Sequence, residues 1–116
     1  MSDTIFHKIM RREIPADVVH EDENVIAFRD IAPQAPVHVL FVPKRDFATL
    51  NDVPEEDAVV IGKLATAAAR YAKKEGFAED GYRIVMNCNA DGGQTVFQVH
   101  LHLLAGASLG RFGTPA

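Results

Sequence analysis

The sequence predicts an α+β domain, with five strands in a mostly antiparallel sheet, one long helix and one short helix. Three observations carry this. Apolar residues recur at helical spacing over one long segment only, between Pro54 and Gly76. Five shorter segments are rich in β-branched and aromatic residues. The links between neighbouring strands are short turns, which favours antiparallel pairing.

Each element has a local reason. Asp3 can cap a short first helix in which Ile5, Phe6, Ile9 and Met10 form one apolar stripe, and Pro15 ends it. VVHEDENVIAFRD reads as a strand, an acidic turn from Glu21 to Asn24, and a second strand over Val25–Phe28. Two prolines fix the loop that begins at Asp30, and VHVLFVP, Val37 to Pro43, is a third strand. In the long helix Pro54 stands near the first turn, where Glu55, Glu56 and Asp57 complement the dipole. Val60, Ile61, Leu64, Ala67, Ala68 and Tyr71 trace its buried face, Lys73 and Lys74 suit its far end, and Gly76 stops it. GYRIVMN, from Gly81, is the fourth strand and Val96–Leu104 the fifth.

The 116 residues suit one domain, 1–116, with a single core. A formal net charge of −4 argues against a partner bound by broad neutralisation of phosphates, so no nucleic acid is expected. A small anionic ligand stays open, because local donors outweigh a weak overall field. The lone Cys88 forms no internal disulfide, which fits a reducing, cytoplasmic setting. No window approaches the ~18 apolar residues of a membrane helix, and no targeting segment is seen.

The segment GGQTVFQVHLHLLAG, Gly92 to Gly106, concentrates the chemistry. On a strand, period two places Gln98, His100 and His102 on one face. Two imidazoles about 6–7 Å apart could divide nucleophilic attack and hydrogen-bond donation about one phosphorus atom. They could equally be a zinc pair, or carry no function. The preceding loop, Asp91 to Thr95, offers glycine amides, the Gln94 side chain and the Thr95 hydroxyl as a cradle for an anion.

Gln98-Val-His100-Leu-His102-Leu-Leu104 resembles the signature of the histidine-triad (HIT) family, with glutamine in place of the first histidine. TIFHKIMRREIPADVVHEDENVIAFRDIAPQAPVHVLFVPK and DGGQTVF extend the resemblance to the Hint branch along most of the chain. The resemblance implies a homodimer joining two five-stranded sheets, and hydrolysis of purine nucleoside 5′-phosphoramidates without metal or cofactor. It makes His100 the nucleophile, forming a nucleotidyl-imidazole intermediate, and His102 the donor to the phosphate oxygens. His38 matches a further active-site histidine. Asn87, Gly93, Gln94, Thr95 and Val96 fall near the phosphate, Asp30 at the ribose hydroxyls, and Phe6, Ile9, Phe28 and Ile31 around the purine. His7 and His20 match no functional position and read as solvated.

Two departures bear on mechanism. Gln98 keeps a backbone carbonyl to orient His100, but its side chain cannot take up and release a proton near neutral pH. The tail ends in Arg111-Phe-Gly-Thr-Pro-Ala without the tryptophan found near the end of animal Hint proteins, so no tail contact carries over. Three alternatives accompany the phosphoramidase reading. One is a diadenosine-polyphosphate hydrolase of the fragile-histidine-triad branch, and another is a purine-mononucleotide binder without turnover. The third is a zinc protein using His100, His102 and His38, for which no carboxylate or thiol is evident to complete the set.

Overall fold

The central strand of the sheet, Val37–Pro43, is apolar at almost every position, and both its faces are covered. This architecture comes from the computed structural model of the chain, which describes residues 3–113. Thr114–Ala116 of the tail lie outside the described residues. The elements in order are α1 (Ile5–Met10), β1 (Val18–Glu21), β2 (Val25–Arg29), β3 (Val37–Pro43), α2 (Ala58–Glu75), β4 (Arg83–Val85) and β5 (Leu101–Ala105). All four strand pairs are antiparallel, in the order β1-β2-β3-β5-β4. No helix among the described residues is long and apolar enough to cross a membrane.

Period two divides the sheet. Val25, Ala27, Val39, Phe41, Leu101 and Leu103 face one way and pack with Leu64, Ala68 and Tyr71 of α2. Ile26, Phe28, Leu40 and Val42 face the other way and pack with Phe6 and Ile9 of α1. The histidines share this second face: Leu40 pairs with His102 across β3 and β5, and His38 lies two residues from Leu40.

Several boundaries differ from the sequence expectation. Thr4, rather than Asp3, caps α1: its hydroxyl accepts from the Phe6 and His7 amides, while His7 Nδ1 accepts from the Thr4 amide at 3.0 Å. His7 is buried, not solvated, and its Nε2 lies 3.3 Å from Asp46. Pro54 opens a 3₁₀ turn, Glu55–Asp57, and α2 proper begins at Ala58. Gly76, at φ +90°, ends α2 in the left-handed conformation that glycine adopts without strain.

Strand β4 is three residues long, and the fifth strand begins at Leu101 rather than Val96. Residues 96–98 form a bend instead. The cause is where the backbone bonds go: the Val99 amide donates to the Phe47 carbonyl at 2.7 Å, pairing this segment with a loop.

Leu64 is fully buried between α2 and the sheet. Leu64→Ala is expected to lower unfolding stability by about 2–5 kcal/mol in urea titration, through lost burial and the cavity left behind.

Candidate active site

Three imidazoles form one cluster on the α1 side of the sheet. The His100 and His102 rings are 5.0 Å apart between centroids, and His38 and His102 are 5.2 Å apart. Phe6 of α1 meets His100 edge-on at 4.9 Å, so the short helix seats an aromatic ring directly against it.

Backbone groups assign the protons of the neutral rings, because a carbonyl can only accept and an amide N–H can only donate. His100 Nδ1 donates to the Gln98 carbonyl at 2.8 Å, which leaves Nε2 with its lone pair. The Gln34 amide donates to His38 Nδ1 at 3.0 Å, so the His38 proton sits on Nε2. That Nε2–H donates to His102 Nδ1 at 2.9 Å, which in turn places the His102 proton on its own Nε2. One ring therefore carries a free lone pair and its neighbour carries an N–H.

Burial lowers the pKa of His100, opposed by the Gln98 carbonyl and the Asp30 charge. Burial also lowers His38, against the pull of Asp30. His102 falls furthest, to about 4, through burial first and then repulsion from the other two rings. All three shifts favour neutral imidazole, the form that has a nucleophilic nitrogen.

Beside the rings lies a cleft of about 320 Å³. Of the residues expected at the site, Phe6, Ile9, Phe28, Asp30, Ile31, Thr95, Val96, His100 and His102 line it. Ile5, Ile14, Pro15, Ala16, Arg29 and Leu40 also line it, beyond the residues the sequence points to. Leu40 had a signal, since it shares the His38 face of β3, whereas Ile14 and Pro15 arrive by chain folding alone. Asp30 divides its oxygens: Oδ1 accepts the Ala32 amide at 2.8 Å, closing its own turn, and Oδ2 lies 3.5 Å from His38 Nε2.

Five expected residues stand outside the cleft lining: His38 backs His102, and Asn87, Gly93, Gln94 and Gln98 lie in or against the loops beside it. Asn87 donates to the Gly92 carbonyl at 2.6 Å, and Gln94 is buried, bonding Asn89, Ala48 and Val96 main-chain atoms. The amides of Gly93 and Gln94 close the turn onto the Ala90 and Asn89 carbonyls. The loop thus spends much of its polarity on its own shape, and Thr95 and Val96 are the parts that reach the cleft. At Gly92 a Cβ would stand 2.5 Å from the Cys88 carbonyl oxygen, so the turn admits no side chain there. The Gln98 side chain is also fully buried, and points into the 43–47 loop. It does not join His100 and His102 in the cleft, because the 96–98 bend breaks the strand alternation.

Asp30, His38 and His102 place three potential metal-donor atoms within 4.8 Å of one another. This differs from the expected trio of His100, His102 and His38: a carboxylate is at hand after all, and His100 is not in the set. Two of these donors, His38 Nε2 and His102 Nδ1, are engaged with each other.

An antiparallel sheet that presents paired neutral imidazoles to an apolar cleft beside a glycine turn defines a histidine-triad protein. The chain belongs to that family: the HIT domain model matches residues 11–109. It is 54% identical over 108 residues to the purine nucleoside phosphoramidase of Escherichia coli (strain K12), covering 93% of this chain and 91% of that protein. Among solved structures, a HIT family hydrolase from Legionella pneumophila matches with TM-score 0.88 and 49% identity, covering 91% of this chain and 95% of that one. A histidine triad protein from Clostridium difficile matches with TM-score 0.92 and 40% identity over 97% of each chain.

The lowered histidines make stability depend on acid. Once the pH falls below the ordinary value of 6.5, the unfolded chain takes up protons that the buried rings refuse. For His102 the stability is therefore full above that value and is lost as the pH falls toward about 4, by at most about 1.4 kcal/mol per pH unit, and His38 and His100 contribute losses of the same sign. Urea titrations at neutral pH and near pH 5 are expected to show this loss, and to show a smaller one in His102→Asn.

Proposed function

We propose that the protein hydrolyses purine nucleoside 5′-phosphoramidates, or related nucleotidyl conjugates, through a covalent nucleotidyl-histidine. The observation that carries this is the His100 geometry: a buried, neutral ring whose Nδ1 proton is held by a carbonyl, leaving the Nε2 lone pair for attack. The likeness to the Escherichia coli phosphoramidase supports the choice of substrate.

In this reading His100 Nε2 attacks the α-phosphorus and forms an N–P bond. The bond to the leaving amine breaks, and the amine departs with the bonding electrons and a proton taken from solvent water, which the hydrolytic step later returns. Water then cleaves the imidazole–phosphorus bond to release the nucleoside monophosphate and regenerate His100. His102, with its proton on Nε2, donates to the phosphoryl oxygens as their charge grows. His38 holds His102 in that tautomer. Phe6, Ile9, Phe28 and Ile31 bound the purine, Asp30 Oδ2 accepts from the ribose hydroxyls, and Thr95 and Val96 flank the phosphate. Asn87, Gly93 and Gln94 serve by shaping the loop.

The same reading pairs two copies through β4, which ends the sheet and leaves Ile84 43% exposed on an open edge. Sedimentation of the wild type should give a dimer, and Ile84→Asp should shift it toward monomer. A monomeric wild type overturns the pairing.

Hydrolysis of adenosine 5′-phosphoramidate tests the chemistry. Wild type is expected to turn over in excess chelator, and His100→Ala to lose about a thousandfold or more in kcat, as befits a missing nucleophile. Loss of wild-type activity in chelator would instead favour a metal at Asp30, His38 and His102. Tight binding of the monophosphate without turnover would make the protein a nucleotide binder.

A further inference from the structure

Gln98 stands where the family signature has a histidine, and its side chain has a full set of bonds. Oε1 accepts the Phe47 amide at 3.1 Å, and Nε2 donates to the Pro43 carbonyl at 3.2 Å and the Arg45 carbonyl at 2.7 Å. The orientation is dictated, since a reversed amide would set N–H against N–H. The site therefore requires one acceptor and two donors. A side-chain amide supplies all three, whereas neutral imidazole has one of each and imidazolium has two donors and no acceptor. One step along the chain, the Val99 amide donates to the Phe47 carbonyl at 2.7 Å. Residue 98 is thus clamped to the 43–47 loop from both sides, and its own carbonyl is what receives the His100 Nδ1 proton.

We infer that Gln98 is a positioning residue: its side chain locks the 43–47 loop and so aims its backbone carbonyl at His100, while taking no part in proton transfer. The inference rests on His100 as the nucleophile. It implies that glutamine here is fitted to its surroundings rather than a degraded histidine. Restoring imidazole leaves one of the three main-chain groups around this buried side chain without its partner and adds no proton path to the cleft.

The experiment compares wild type, Gln98→Met and Gln98→His by kcat and KM for adenosine 5′-phosphoramidate over about pH 5 to 9. The His100 Nδ1–H resonance is followed by NMR in each ligand-free protein. Gln98→Met, which keeps the volume and removes the bonds, is expected to lose about tenfold in kcat with KM within about twofold. Its Nδ1–H resonance should shift or broaden as the carbonyl loses its aim. Gln98→His should be no faster than wild type at any pH, with no new limb in its profile. Wild-type kcat and an unmoved resonance in Gln98→Met would overturn the positioning role. A tenfold faster Gln98→His with a new limb near neutral pH would instead show a proton relay. If wild type itself were inert, the phosphoramidase reading would fall, but the resonance would still decide the present one. Should Gln98→Met not fold, Gln98→Asn draws the amide back by one methylene and carries the same comparison.

Discussion

The hydrogen bond from His100 Nδ1 to the Gln98 carbonyl governs the site, because it decides which ring nitrogen meets the cleft. An imidazole free to rotate or change tautomer would present its lone pair only part of the time. Here a main-chain acceptor two residues away holds the ring, at 2.8 Å, in a buried setting where such bonds are strong. A side-chain acceptor could swing or protonate. A backbone carbonyl can do neither, so its reliability is set by how firmly the backbone itself is held.

The second ring is fixed by a longer chain of the same kind. It begins at the Gln34 amide in the proline-bounded loop, passes through His38, and ends at His102 Nε2. Each member is determined by the one before it, and the first is a peptide N–H that never changes state. Burial contributes the remaining condition by disfavouring charge on all three rings. Position and protonation state thus come from one arrangement: apolar packing from α1 and the sheet keeps water away, and main-chain groups orient what remains.

Much of this was legible in the sequence and some was not. Helical spacing located α2 and its inward face at Leu64, Ala68 and Tyr71, and β-branched runs located β2 and β3. The signature brought out His100 and His102, and the wider resemblance added His38 and Asp30. What escaped were side chains whose partners are remote in sequence. Alternation puts Gln98 on the histidine face, but its partners lie about fifty residues back in the 43–47 loop. His7 looked solvated, yet it closes a capping box and reaches Asp46 across the same loop. The resemblance puts Asn87 near an anion and the amide chemistry of the 91–95 loop puts Gln94 there, yet folding spends both on the turn. Local patterns report which face a residue takes. They do not report which unpaired backbone group it will meet there.

The two faces of β3 carry one further consequence. Val39 and Phe41 belong to the α2 core, while His38 and Leu40 belong to the imidazole side, and these alternate residue by residue. A slip of a single position against β2 or β5 would send His38 into the apolar layer under α2 and turn Phe41 out of it. A sheet misaligned by one residue could then not keep its core while losing only its chemistry. That one-residue slip has no cheap folded form, so the packing that enforces the register of β3 also guards the geometry around His102.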